Sequence, residues 1–115
     1  TIVTRNGKVV LITGSPGGRT IINTVLSIVL GVTEFGMNGR EAVDSARMHN
    51  QWLPDETVFE AGAITQDVLA TLKKMGHNVR MQGSQGGGNS IFIDPGSGVA
   101  YGVNDRRGSD SKASK

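Results

Sequence analysis

The chain has 115 residues, enough for one domain or part of one, and it can bury a core carried mainly by Ile, Leu and Val. Its net charge is +2, much of the Lys/Arg excess sits at Arg106, Arg107, Lys112 and Lys115, and no basic cluster is interleaved with the five aromatics, so nucleic-acid binding has little support. With no cysteine, thiol catalysis, thiolate metal sites and disulfides are excluded within this chain.

Residues 2–4 and 8–13 read as two strands of a hairpin. Between them lies Arg5-Asn6-Gly7, and Asn-Gly is the preferred dipeptide of a tight hairpin turn. The start is a strand and not a basic region followed by an apolar one, so no signal peptide is expected.

The second strand runs into Gly14-Ser15-Pro16-Gly17-Gly18-Arg19-Thr20, and an apolar run leaves it, predicting a helix over residues 19–31. That run is too short to span a bilayer, and Asn23, Thr24 and Ser27 interrupt it. Ile21, Ile22, Val25, Leu26, Ile28, Val29 and Leu30 cannot share one narrow stripe. Such a helix should be covered on several sides, as by a neighbouring layer.

Asn38 with Glu41 has capping-box spacing, opening a short helix over residues 39–47 that presents Ala42, Val43 and Ala46. Met48-His49-Asn50-Gln51-Trp52-Leu53-Pro54 reads as irregular, ending at a proline. Residues 57–60 form a short strand. A third helix, 66–75, has Thr65 as candidate N-cap, Ile64 and Leu69 as a staple, Lys73 and Lys74 in its last turn, and Gly76 after it. Residues 78–81 are a strand and 83–88 a flexible Gly-rich loop. Residues 90–93 and 99–103 make a second hairpin through Asp94-Pro95-Gly96-Ser97-Gly98. Residues 104–115 are polar and are expected to form a loose tail. Strands in hairpins with helices between them indicate α+β, with antiparallel strands and packed helices.

The Gly-rich turn is the main candidate for chemistry, because free backbone N–H groups at a helix start suit an anion. As a phosphate loop it is defective: three residues separate Gly14 from Gly18 where four are needed, Arg19 replaces the lysine, and Pro16 removes an N–H. In the second reading it is an oxyanion hole, since two consecutive glycines let backbone amides approach a reacting carbonyl. A strand-to-helix bend without a ligand is the third reading. No Ser or Cys is placed to make His49 a general base, His77 follows a helix-ending glycine, and no His/Asp/Glu group has metal-ligand spacing. Asp55-Glu56 reads as a solvated acidic pair. Thr1 could act as an N-terminal nucleophile with its own α-amine as base. It opens a β-branched run into the hairpin, however, and a fragment boundary explains it equally.

Taken together, Thr1-Ile2-Val3, Gly7-Lys8, Gly14-Ser15-Pro16-Gly17-Gly18, residues 47–56 (Arg-Met-His-Asn-Gln-Trp-Leu-Pro-Asp-Glu) and Tyr101-Gly102-Val103-Asn104-Asp105-Arg106-Arg107 resemble the C-terminal part of bacterial γ-glutamyltranspeptidase (glutathione hydrolase). The resemblance covers residues 1–107, leaving 108–115 as a polar tail. It implies part of an N-terminal-nucleophile hydrolase αββα sandwich, from a precursor that cleaves itself into a large and a small subunit. A threonine would attack the γ-glutamyl amide of glutathione and related compounds, and the acyl group would pass to water, an amino acid or a peptide. Carried onto this sequence, the oxyanion-hole amides are those of Gly17 and Gly18.

The family's nucleophile lies in a Thr-Thr-His-like start upstream of the Thr-Ile-Val strand. Nothing here matches that start, nor the paired serines beside the strand, so no nucleophile is expected in this chain and the isolated chain should be inactive. The implied partners are γ-glutamyl compounds, the rest of the small subunit and the large subunit, with no nucleic acid, membrane span, metal or cofactor. A periplasmic or secreted location is implied by the family alone. A non-catalytic binding or assembly module and a related N-terminal-nucleophile acylase are the alternatives.

Overall fold

A computed structural model of the chain describes residues 1–108. It folds as two compact units, one built from Thr1–Ser45 with the chain from Gly86 onward, the other from Ala46–Gln85.

In the first unit, β1 (Ile2–Arg5) and β2 (Lys8–Gly14) form the expected hairpin. Asn6 and Gly7 take φ of 52° and 76°, the paired left-handed conformations that let a two-residue turn follow the twist of its strands. The sheet continues through β6 (Asn89–Ile93) and β7 (Ala100–Val103) in the order β1-β2-β6-β7, antiparallel throughout. A short 3₁₀ turn, Gly18–Thr20, leads into α1 (Ile21–Thr33), and α2 (Gly39–Asp44) follows.

The period of two along a strand decides which residues face the helices. Leu11 is fully buried and packs with Ile28, Ala42, Val43 and Val103. Two residues on, buried Thr13 meets Ser90 across the β2–β6 pair, hydroxyl to hydroxyl at 2.8 Å. The intervening residues face the other way. There Ile2, Ile12 and Ile91 form an in-register apolar row with Gly102, and all three isoleucines are exposed. Helix α1 is also covered on one side only: Thr24, Ile28 and Gly31 are buried, while Ile22, Leu26 and Leu30, one turn apart, remain open. The cover expected on several sides is therefore not supplied within the described residues.

The capping box at α2 closes in both directions, Glu41 N–H to Asn38 Oδ1 at 3.0 Å and Asn38 N–H to Glu41 Oε2 at 2.9 Å. The helix ends at Asp44, short of the expected Arg47, and Ala46 is exposed. Its end is capped from far away in the chain, because the Arg107 guanidinium donates to the carbonyls of Val43 (3.0 Å) and Ser45 (2.8 Å). Residues 104–107 thus correct the expectation of a loose tail from 104 onward. Asp105 is buried, accepts the Gly88 N–H at 2.7 Å and binds Arg107 at 3.2 Å. Polar composition misleads there because Asp105 and Arg107 each have fixed partners. The rest of the expected tail, 109–115, lies outside the described residues.

In the second unit, β3 (Met48–His49) pairs antiparallel with β4 (Thr57–Glu60), where an irregular segment was expected. Strand β4 then pairs with β5 (Val79–Gln82) in parallel, the one exception to the antiparallel expectation. The reason is the connection: nine-residue α3 (Gln66–Lys74) carries the chain back, as a parallel pair requires. The class remains α+β.

Thr65 takes the N-cap position of α3, yet its hydroxyl accepts no helix N–H. It bonds the Asp67 carboxylate instead, which holds that carboxyl below its usual range. The C-terminus behaves as expected, with Lys73 and Lys74 in the last turn and Gly76 at φ 95°. Around buried Val58 and Phe59 lies a polar network. The buried Glu60 carboxylate accepts the N–H of Arg47 at 2.9 Å and of Gln85 at 2.6 Å, and Arg47 Nη1 donates to the Gln85 carbonyl at 2.8 Å. Glu56, expected to be merely solvated, accepts from Arg80 Nε at 3.0 Å.

Candidate active site

Strand β2 ends at Gly14, and the chain must then reverse into α1 within a few residues. Gly17 and Gly18 make the reversal, with φ of 122° and 58°. Side chains are disfavoured at both angles, which is why two glycines stand here. Both are exposed. The turn is locked by Thr20, whose N–H and Oγ1 both donate to the Gly17 carbonyl, at 3.4 and 3.1 Å.

That lock has a consequence for the donors. The Gly17 carbonyl and the Gly18 N–H belong to one planar peptide and point in opposite directions. Holding the carbonyl toward Thr20 therefore turns the Gly18 N–H outward. Among the described residues, neither the Gly17 nor the Gly18 N–H has an acceptor. Behind them stands α1, thirteen residues long with no acidic residue in its first turn, so its positive end is not offset by a carboxylate. Exposed Arg19 adds to the field. The arrangement offers two adjacent amides and a favourable potential to an oxyanion. Pro16 and the missing lysine leave it poorly suited to a nucleotide phosphate.

Ser15 flanks the turn, its hydroxyl donating to the Pro16 carbonyl at 2.7 Å and accepting the Gly87 N–H at 3.4 Å. The 86–88 glycines are consequently not the free loop expected. Gly86 packs against Thr20 and Thr24, and Gly88 is tied to Asp105. Sequence reasoning missed this contact. Its one available signal was the glycine run itself, since Gly86 has φ 62°.

The remaining candidates belong to other elements. Thr1 extends the β1–β2 pairing, its backbone nitrogen donating to the Thr13 carbonyl at 2.8 Å and its carbonyl accepting the Thr13 N–H at 2.9 Å. His49 and His77 both belong to the second unit, the first buried in β3 and the second exposed. No group of His, Asp and Glu able to hold a metal occurs among the described residues, and no helix there is long and apolar enough to cross a membrane.

A family model described as gamma-glutamyltranspeptidase matches residues 1–114. The glutathione hydrolase proenzyme of Escherichia coli K12 is 43% identical over 110 residues, covering 96% of this chain and 19% of that protein. The structure of the Helicobacter pylori γ-glutamyltranspeptidase T380A mutant is 44% identical with a TM-score of 0.88, over 94% of this chain and 59% of that one. The Bacillus anthracis transpeptidase CapD, at 22% identity, shares the fold, with a TM-score of 0.79 over 100% of this chain and 68% of its own. The chain thus spans about a fifth of the length of the E. coli relative. Its α+β architecture is that of the N-terminal-nucleophile hydrolases. A match over residues 1–114, with this identity and this superposition, means that the chain belongs to the γ-glutamyltranspeptidase family.

Proposed function

We propose that this chain is the C-terminal portion of the small subunit of a γ-glutamyltranspeptidase-like enzyme and that Gly17 and Gly18 form its oxyanion hole. The observation that carries the reading is the pair of exposed, acceptor-free N–H groups at the positive end of α1. A nucleophile from another part of the protein attacks the γ-glutamyl carbonyl of glutathione or a related compound. Negative charge gathers on the carbonyl oxygen and is met by the two amides. Collapse of the tetrahedral intermediate expels the amine and leaves an acyl-enzyme. Water, an amino acid or a peptide then takes the γ-glutamyl group through a second intermediate that uses the same amides.

The open faces support membership of a larger body. The row Ile2, Ile12, Ile91 and the stripe Ile22, Leu26, Leu30 are apolar surfaces that the rest of the small subunit and the large subunit would cover.

The test is Gly17→Val in the complete protein. With a chromogenic γ-glutamyl anilide, kcat should fall about a hundred- to a thousand-fold, the usual cost of losing one oxyanion donor, while the fold is retained. Turnover near that of the parent would refute the assignment.

A further inference from the structure

We propose that Gly86 is a positioning residue for the oxyanion turn, acting on the Gly18 N–H through Thr24 and Thr20; this rests on the oxyanion reading of Gly17 and Gly18. Gly86 sits at φ 62°, and a Cβ built there would overlap Thr24 Oγ1 and come within 3.4 Å of Thr20 Oγ1. Thr24 has little room to yield, because it is 2% exposed on the inner side of α1. From the other side, a Cβ on Gly17 would lie 3.0 Å from Thr20 Oγ1 and 3.8 Å from the Gly86 Cα. Gly17 and Gly86 therefore both lie against Thr20, and Gly86 also lies against Thr24.

These contacts are anchored behind Gly86. The Gly87 N–H reaches Ser15 Oγ, and the Gly88 N–H is held at 2.7 Å by the carboxylate of buried Asp105. In front, Thr20 grips the Gly17 carbonyl with its N–H and its hydroxyl. The planar peptide transmits that grip to the Gly18 N–H. A side chain at 86 must push Thr24, or back away from it against Thr20, which it already touches, and any shift of Thr20 tilts the peptide that carries the donor. Misplacement by about an ångström at a reacting centre costs roughly a hundredfold.

The experiment compares Gly86→Ala with Gly86→Ala/Thr24→Ala in the complete protein. Each is assayed for kcat and KM on the γ-glutamyl anilide, and for affinity toward a γ-boronate analogue of glutamate, which becomes tetrahedral on the nucleophile, and toward glutamate itself. Gly86→Ala should lower kcat roughly ten- to a hundredfold with KM within about threefold, and boronate affinity should fall in parallel while glutamate affinity holds. Removing Thr24 Oγ1 gives the new methyl room, so the double variant should recover most of the loss. Activity within about threefold of the parent for Gly86→Ala overturns the proposal, and so does a loss in which boronate and glutamate affinities fall together without recovery.

Should Gly86→Ala fail to fold, Thr20→Val removes the hydroxyl while keeping the shape, and it must give the same split between boronate and glutamate. Unchanged kcat there is equally fatal. Gly17→Val is the reference arm. If it loses boronate affinity and the Gly86 variants do not, the positioning role falls and the oxyanion reading stands. If it keeps boronate affinity, both fall.

Discussion

Alanine at Gly17 and alanine at Gly18 should have very different effects. Gly18, at φ 58°, lies in the small left-handed region that an L-residue can enter, and a Cβ there meets nothing within 4 Å. The expected strain is about 1–2 kcal/mol, and the peptide that holds the donor need not move. Gly17, at φ 122° and ψ 25°, lies outside every region allowed to a side chain. Strain of about 1–3 kcal/mol is expected, and the new Cβ would press on Thr20 Oγ1 at 3.0 Å. Both stresses are relieved in the same way, by rotating the 17–18 peptide out of the grip of Thr20, and that rotation withdraws the Gly18 N–H. Gly17→Ala should therefore approach the loss of a full donor, about 3 kcal/mol or a hundredfold and more in kcat. Gly18→Ala should stay within about tenfold of the parent. The assay is steady-state release of anilide from a γ-glutamyl anilide, with the pre-steady-state burst separating acylation from deacylation. Equal losses at the two positions, or a larger loss at Gly18, would refute the reasoning.

Two further outcomes follow from the hydrogen bonds. Glu60→Gln keeps the volume but turns one of two accepting oxygens into a donor facing the N–H of Arg47 or Gln85. Local opening of β3–β4 should become easier by about 3 kcal/mol, roughly a hundredfold in amide exchange at Arg47 and Gln85, and unchanged protection there would contradict the network. At the β6–β7 turn, the Asp94 carboxylate accepts the Ser97 N–H (2.7 Å), the Ser97 hydroxyl (2.7 Å) and the Gly96 N–H (3.1 Å), which lowers its pKa below the usual value, led by the Ser97 amide. A depressed carboxyl stabilises the turn fully above the unfolded pKa near about 3.9 and loses that contribution as pH falls through the folded value. The Gly96 and Ser97 amide resonances should titrate with a midpoint below that of free aspartate, and a midpoint above it would be the contrary result.

What the sequence by itself determined is local. Asn6-Gly7 specifies a hairpin because its backbone angles are cheap only for such residues, and it formed. Asn38 and Glu41 close a box three residues wide, and Lys73, Lys74 and Gly76 end α3 as their chemistry requires. Gly17 and Gly18 between an apolar strand and an apolar run announced an exposed backbone at a helix start, and the family blocks suggested what it is for. Tertiary structure decided everything that depends on partners far away in the chain. Strand β5 pairs parallel to β4 because α3 carries the chain back beside it. Residues 104–107 look solvated until Asp105 finds Gly88 and Arg107 reaches the end of α2 more than sixty positions away. Gly86 looks like a spacer until its missing Cβ proves to be the room that Thr24 occupies. Backbone preference acts over a few residues and is written in them, whereas a buried charge or a close contact takes its meaning from the group across from it, which only the folded chain brings there.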